Sequence, residues 1–432
     1  MTSRLLQADP PAAPPPGRRA AYYGLTILTL LNFLNYVDRY ILAAVLPAIK
    51  IDLTLTDFQL GLLTNAFLVA YFVTSPVFGR LGDRLRRTPL IAIGVAIWSA
   101  ATTATGVVRS FLQMASARAV IGVGEAAYGT IAPALLADYF PPARRGGVFS
   151  IFYVAIPVGS AIGFLLGGFL EQRYDWRTAF FAVGLPGLAL AILALSAPDP
   201  PRGILDAPSD RAAQAAARTL SAGAALRVLL RNRLYASTVL GYAAYTFAVG
   251  GFGTWMPTYL QRIRGLDLAR ADYVVGGITV VAGLGGTFIG GFLADRLRPR
   301  LRNADLLVSG VSMLLAAPAS WLALSVAAPS AYIGAFFAAE FLIFLSTGPI
   351  NVVLISSVAV SLRAQAMAAS IFTIHLLGDA VSPPLIGWLA DRHGLADAVL
   401  VVPAAVAVCS AIWLTAAFLK PKAQSPKPVP PV

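Results

Sequence analysis

Seven ionisable side chains stand inside stretches that are otherwise long and apolar: Asp38, Arg39, Arg118, Glu125, Glu340, His375 and Asp379. A charged group in hydrocarbon costs several kcal/mol unless it is paired or hydrated, so residues kept there carry protons, hold charged ligands or neutralise one another. Asp38, Arg39, Arg118 and Glu125 sum to zero charge. A static cluster fixing one helix to another would use the same four, but burying four ionisable groups favours a functional reading. His375 and Asp379 are four residues apart and share one helical face, as a proton-active pair or as a hydrogen-bonded packing pair. Glu340 reads as a cavity or packing acid.

Other chemistries lack their residues. The two histidines, His375 and His393, form no metal-ligand pair at helical spacing with an acid. Cys409, the single cysteine, lies in an apolar run with no nearby base, and no Ser/His/Asp set appears. Gly283-x-Gly285 follows no strand and so is no phosphate loop. Neither an enzyme nor a bound metal or cofactor is expected.

The elements that must position these residues follow from composition. Of 432 residues, 57% are hydrophobic and 12% charged, against about a quarter charged in soluble domains. Charge-free runs such as 58–79, 88–108 and 306–339 reach or exceed the ~20 residues that cross a bilayer as a helix. The last is too long for one span, and Pro329 divides it. Twelve helices result: 21–48, 57–79, 89–108, 110–139, 145–170, 177–197, 234–261, 271–294, 303–327, 331–360, 364–390 and 396–419. Thr56-Asp57 supplies an N-cap for the second, and Pro89 suits the first turn of the third. The fold class is thus an all-α membrane protein of two six-helix bundles, 21–197 and 234–419. A linker, 198–233, joins them, with Arg211, Arg218 and Arg227 on a surface helix or a flexible stretch. The Pro-rich residues 1–20 and 420–432 read as extended tails.

With the N-terminus placed inside, 23 of the 33 basic residues fall on the inner side and eight on the outer. That asymmetry is the positive-inside signal, with both termini cytoplasmic. It accounts for the net charge of +13 without nucleic acid.

Depth arranges the charged residues. At ~1.5 Å per residue from the outer helix ends, Asp38 lies about 15 Å deep, Arg39 about 14 Å, Arg118 about 12 Å and Glu125 about 22 Å. Asp38 is then level with Arg118. Glu125 sits deeper, opposite Asn32 and Asn35 and without an adjacent cation, where the neutral acid is cheaper to hold than the anion. It reads as the proton carrier, with Asp38 as the acid whose partner changes. Tyr242, Tyr245, Trp255, Glu340 and Asn351 are candidates for the wall of a cavity in the second half.

A short pattern recurs every three helices. Gly79-Arg80-Leu81-Gly82-Asp83-Arg84 ends the second, Gly291-Phe292-Leu293-Ala294-Asp295-Arg296 the eighth and Gly387-Trp388-Leu389-Ala390-Asp391-Arg392 the eleventh, with a weaker copy, Gly168 to Arg173, ending the fifth. Three-helix units paired within two similar halves are implied. Small-residue rows, Gly159-x-x-x-Gly163-x-x-x-Gly167 and Gly286-x-x-x-Gly290, permit close helix approach, for core packing or for sliding.

Residues 79–87 resemble motif A of the major facilitator superfamily, with Gly79, Asp83, Arg84 and Arg87 in its gating positions. Asn35-Tyr36-Val37-Asp38-Arg39-Tyr40, Arg118 through Tyr128, Ser150 through Ser160, Pro200-Pro201-Arg202-Gly203 and His375 through Pro383 resemble the Spinster branch. The resemblance implies secondary transport by alternating access. It also implies a gate in which Asp83 caps the N-terminus of the eleventh helix, near Arg363. Animal Spinster proteins are associated with lysophospholipid and sphingosine-1-phosphate transport. The expected partners are therefore protons, the bilayer and an amphiphilic anion or lysolipid, with Arg118 and Asp38 in its charge network. The alternative is a small organic anion or drug exporter of the same fold. A monomer in a bacterial inner membrane is expected.

Overall fold

The computed structural model describes residues 16–205, 222–358 and 362–418. The tails expected at 1–20 and 420–432 lie almost wholly outside these residues, as do Arg211 and Arg218 of the linker.

The first six helices are α1 Arg18–Asp52, α2 Asp57–Arg84, α3 Arg87–Thr105, α4 Phe111–Tyr139, α5 Pro142–Arg173 and α6 Trp176–Ala194. A short linker helix, Ala222–Arg231, precedes the second set. That set begins with α7 Arg233–Arg262, α8 Leu268–Leu297 and α9 Ala304–Ser325. Helix α10 runs Pro329–Leu345 and resumes as Thr347–Ser356. Helix α11 is Arg363–Ile374, a π-helical turn at His375–Asp379, then Ser382–His393, and α12 is Leu395–Ala398 followed by Val401–Ala417. Ten of the twelve are long and apolar enough to cross a membrane. The other two, α1 and α7, are 35 and 30 residues long and complete two sets of six.

The ends follow from local chemistry. Thr56 and Gln59 form a reciprocal capping box that starts α2. Ser110, Asp175, Asn232 and Asp267 each accept a backbone N–H at the start of α4, α6, α7 and α8. Pro329 opens α10, as its position in the long apolar run predicts. Helix α2 continues through motif A to Arg84, whereas the charge pattern ends it at 79. Arg80 and Arg84 of that motif ride on the end of α2, Arg86 lies in the short break, and Arg87 opens α3.

Within the first set, α1 packs on α5 and α6, and α4 lies between α2 and α3. In the second, α7 packs on α12 and α11, and α10 lies between α8 and α9. The sets meet along two main seams, α2 against α11 and α5 against α8. We call the face holding the start of α1 and the end of α12 the terminal face, and the other the distal face.

Both seams are tight toward the distal face. A methyl group on Gly61 of α2 would lie 2.5 Å from Pro384 Cα, and one on Gly387 of α11 would lie 2.6 Å from the Asp57 carbonyl carbon. Across the other seam a methyl group on Gly276 would lie 3.1 Å from the Ala161 carbonyl oxygen. At these points glycine lets two backbones touch. The row at 159, 163 and 167 serves core packing instead: its glycines face α1 within the same half, at Tyr36, Tyr40 and Ala44.

Candidate functional site

Five helices converge on a cavity of about 240 Å³. Helix α1 contributes Tyr36 and Arg39, α2 contributes Phe67, and α4 contributes Arg118. Across the gap, α7 supplies Thr246 and α11 supplies His375, Asp379 and Pro383. The wall is thus aromatic on one side, polar on the other, and carries two guanidinium groups.

Arg39 donates to the Glu125 carboxylate, Nη2 to Oε2 at 2.7 Å and Nε at 2.8 Å. Glu125 is fully buried, while the Arg39 side chain keeps 24% of its surface. Its guanidinium also faces the rings of Phe67 at 4.8 Å, Tyr36 at 5.2 Å and Tyr71 at 5.5 Å. A cation beside three aromatic faces loses less on leaving water than one in plain hydrocarbon. Glu125 therefore has an adjacent cation, contrary to the expectation from depth. A long side chain reaches several ångströms along the helix axis, and Arg39 uses that reach to arrive at Glu125.

Asp38 is fully buried and does not pair with Arg118. It accepts a hydrogen bond from Thr102 Oγ1 of α3 at 2.6 Å, and its other oxygen has no partner. Depth put Asp38 level with Arg118, but its direction around α1 carries it toward α3. Arg118 is 2% exposed, and its Nε and Nη1 lack hydrogen-bond partners. The Phe67 ring lies 5.1 Å from its guanidinium carbon. Asn32 donates to the Phe152 carbonyl oxygen at 2.9 Å, tying α1 to α5, and the buried Asn35 amide nitrogen has no partner.

His375 Nδ1 lies 2.8 and 2.9 Å from the two Asp379 oxygens, within the π-helical turn. The Phe72 ring of α2 is 5.4 Å from the imidazole. The pair both packs on α2 and lines the cavity. The five candidates for the second-half wall do not line it. Trp255 is 1% exposed and donates from Nε1 to the Pro383 carbonyl oxygen at 3.1 Å. Tyr245 bonds Thr347, and Asn351 donates to the Thr347 carbonyl oxygen. Tyr242 stands edge-on to Tyr245. Glu340 lines a separate void of about 20 Å³ beside Tyr40 and Phe336. Tyr242, Tyr245, Trp255 and Asn351 point into the second bundle, because α7 and α10 each bury one face there, whereas the void at Glu340 also touches Tyr40 of α1.

Motif A differs from expectation in its partner. Asp83 is exposed and, among the described residues, makes no hydrogen bond or ion pair with α11 or any other helix. Arg84 is likewise exposed. Arg87 is buried and holds Asp138 of α4, Asp199 at 3.1 Å and the Pro200 carbonyl oxygen. Arg202 donates to the carbonyl oxygens of Gly82 and Leu85. This end of the motif fastens the start of the linker to the first half.

The carboxylate-to-helix contact expected of Asp83 exists at the opposite face. Asp391, at the end of α11, accepts from the backbone N–H groups of Asp57 and Phe58 at 2.8 and 2.9 Å. Those are free donors at the start of α2. Asp57 in turn accepts from Lys50 and from Arg262 of α7, both at 2.7 Å. The distal face is thus closed by contacts across both halves. The repeat places Asp391 at the position of Asp83, a signal in the sequence that would have found it. Asp391→Asn should loosen this closure by about 0.3–2 kcal/mol, the range for a carboxylate at a helix start. Labelling of a cysteine placed beside Asp57 should rise accordingly, and unchanged labelling would remove Asp391 from the gate.

The Major Facilitator Superfamily profile matches residues 28–374. Protein spinster homolog 3 of Danio rerio is 35% identical over 410 residues, 90% of this chain and 81% of that protein. Protein spinster homolog 1 of Homo sapiens is 36% identical, over 87% of this chain and 74% of its own length. The sphingosine-1-phosphate transporter SPNS2 of Danio rerio is 34% identical, over 84% and 75%. A bacterial homolog of the human lysosomal transporter Spinster, crystallised inward-facing and unoccupied, superposes with a TM-score of 0.82 at 23% identity, covering 93% of this chain and 98% of that one. A D-xylose–proton symporter gives 0.69 at 17% identity, covering 91% and 97%. The paired bundles, the repeated acidic helix ends and these likenesses agree: the chain is a multi-pass membrane transporter that belongs to the major facilitator superfamily and, within it, to the spinster family.

Proposed function

We propose that the protein is a proton-coupled secondary transporter that moves an amphiphilic, lysolipid-like anion by alternating access. The two bundles, 21–197 and 234–419, rock about the central cavity. By the charge asymmetry of its loops the terminal face is cytoplasmic, so closure at Asp391 and Asp57 makes this the inward-facing arrangement. A monomer in a bacterial inner membrane fits this reading. Relatives named for sphingolipid and sphingosine-1-phosphate transport support a lipid-like substrate.

The carrying observation is Arg118. A buried guanidinium with two nitrogens free of hydrogen bonds, against an aromatic wall, is a receptor for an anionic head group. Proteoliposomes should take up a lysophospholipid saturably and faster under an imposed pH gradient. Arg118→Lys should reduce that uptake about tenfold or more, because an ammonium lacks the planar fork. Full flux in the Lys variant would overturn the head-group role.

A second reading is favoured by size. The cavity's 240 Å³ falls below the ~300–1,000 Å³ of drug-sized ligand sites. A small organic anion fits it without rearrangement. Uptake of such an anion with no lysophospholipid transport would select that reading.

A further inference from the structure

The α5–α8 seam holds an acid that none of the machinery above uses. Asp272 stands one turn into α8 and is fully buried. Neither carboxylate oxygen has a hydrogen-bond partner. It is pressed across the seam onto Gly168 of α5, where a built methyl carbon would lie 2.8 Å from Oδ2 and 3.0 Å from the Asp272 Cβ. Among the described residues no cation lies in ion-pair reach. On the facing helix another acid, Glu171, stands three residues beyond Gly168 and so on the same side of α5. The next acid inward, Glu340 of α10, lines the void that includes Val275 and Thr279 of the same helix. The open end of α8 offsets part of the burial cost of an anion, but one of its free N–H groups, that of Arg270, is taken by the Asp267 cap.

From this placement we infer that Asp272 is a proton-binding gate residue, carrying a proton while the distal seam is shut and releasing it when the seam opens. A carboxylate with no donor, sealed between two helices and facing another acid, is stable there as the neutral acid. Opening the distal face parts α5 from α8 and gives Asp272 water, where it ionises at neutral pH. Closing then takes up one proton from distal solvent. By linkage, acid on that side favours the closed distal face and alkali favours the open one. The site is separate from Glu125: it senses the distal side alone and sits on the seam, not in the cavity. The inference rests on the alternating-access reading.

The test is a distance across the seam in the full chain in liposomes. Tyr174 and Arg270 are exposed at the distal ends of α5 and α8. Spin labels on Tyr174→Cys and Arg270→Cys report the gap, while Cys409 is buried and stays unlabelled. Between about pH 5.5 and about pH 8.5 the long-distance fraction should rise at least about threefold, and Asp272→Asn, a mimic of the neutral acid, should abolish the rise. The rise should survive Glu125→Gln. A rise that persists in Asp272→Asn, or that Glu125→Gln removes, overturns the inference. If pH has no effect but Asp391→Asn lengthens the distance, Asp272 is not the gate proton site and alternating access stands. If nothing lengthens it, both readings fall.

Discussion

In vesicles with an imposed pH gradient, the Glu125→Gln protein is expected to exchange substrate across the membrane but not to accumulate it. The glutamine keeps the shape of the protonated acid and lacks the negative charge that pairs with Arg39, which the glutamate holds at 2.7 Å. On the proposed proton-coupled reading, protonation of Glu125 would free the Arg39 guanidinium beside the cavity, and deprotonation would recapture it. Breaking one partner of a buried pair typically costs ~3–5 kcal/mol. The three aromatic rings around Arg39 and its partial exposure soften that cost, so the fold should survive. The expected loss in pH-driven accumulation is about tenfold or more, with counterflow retained. Asp38→Asn should be milder toward folding than its depth suggests, because an amide oxygen can still accept from Thr102. Undiminished accumulation by the Gln variant would send the proton to Asp38 or to His375 and Asp379.

Gly387→Ala should produce the second large effect, by trapping the carrier away from the state described here. The added methyl would lie 2.6 Å from the Asp57 carbonyl carbon and 2.9 Å from Phe58 N, backbone atoms of a different helix. Overpacking of this kind typically costs 1–3 kcal/mol, so the closed-distal population should fall by roughly 5- to 150-fold. The clash exists where α2 and α11 touch, so it penalises one conformation rather than the fold. Distal cysteine labelling should rise and net transport should drop, with thermal unfolding little changed. Gly223→Ala, whose methyl would meet nothing within 4 Å, is the control. Equal labelling in both variants would show that the seam is not tight in the membrane.

Spans were legible because charge spacing is a one-dimensional signal. Caps at Thr56 and the break at Pro329 were legible because each is set within a few residues. Which acid meets which base was not. Helical rise gives depth from residue number alone, but partner choice also depends on direction around the axis and on side-chain reach. Those two quantities turned Asp38 to Thr102 and brought Arg39 to Glu125. The C-half wall failed for a related reason: an aromatic on α7 can face the cavity or its own bundle, and Trp255 took the Pro383 carbonyl. The gate was legible in pattern but not in occupancy. The repeat marks both Asp83 and Asp391, and nothing in one sequence says which is engaged.

That duplication bears on direction. If each acid caps the facing helix when its own side shuts, the two resting arrangements are held by chemically equivalent clasps. Their contributions, each about 0.3–2 kcal/mol, then largely cancel in the difference between the states. Such a machine has little intrinsic preference for loading from one side. Whether it fills or empties the cell becomes a property of the gradients imposed on it, and a protein of this design would run in reverse when they are reversed.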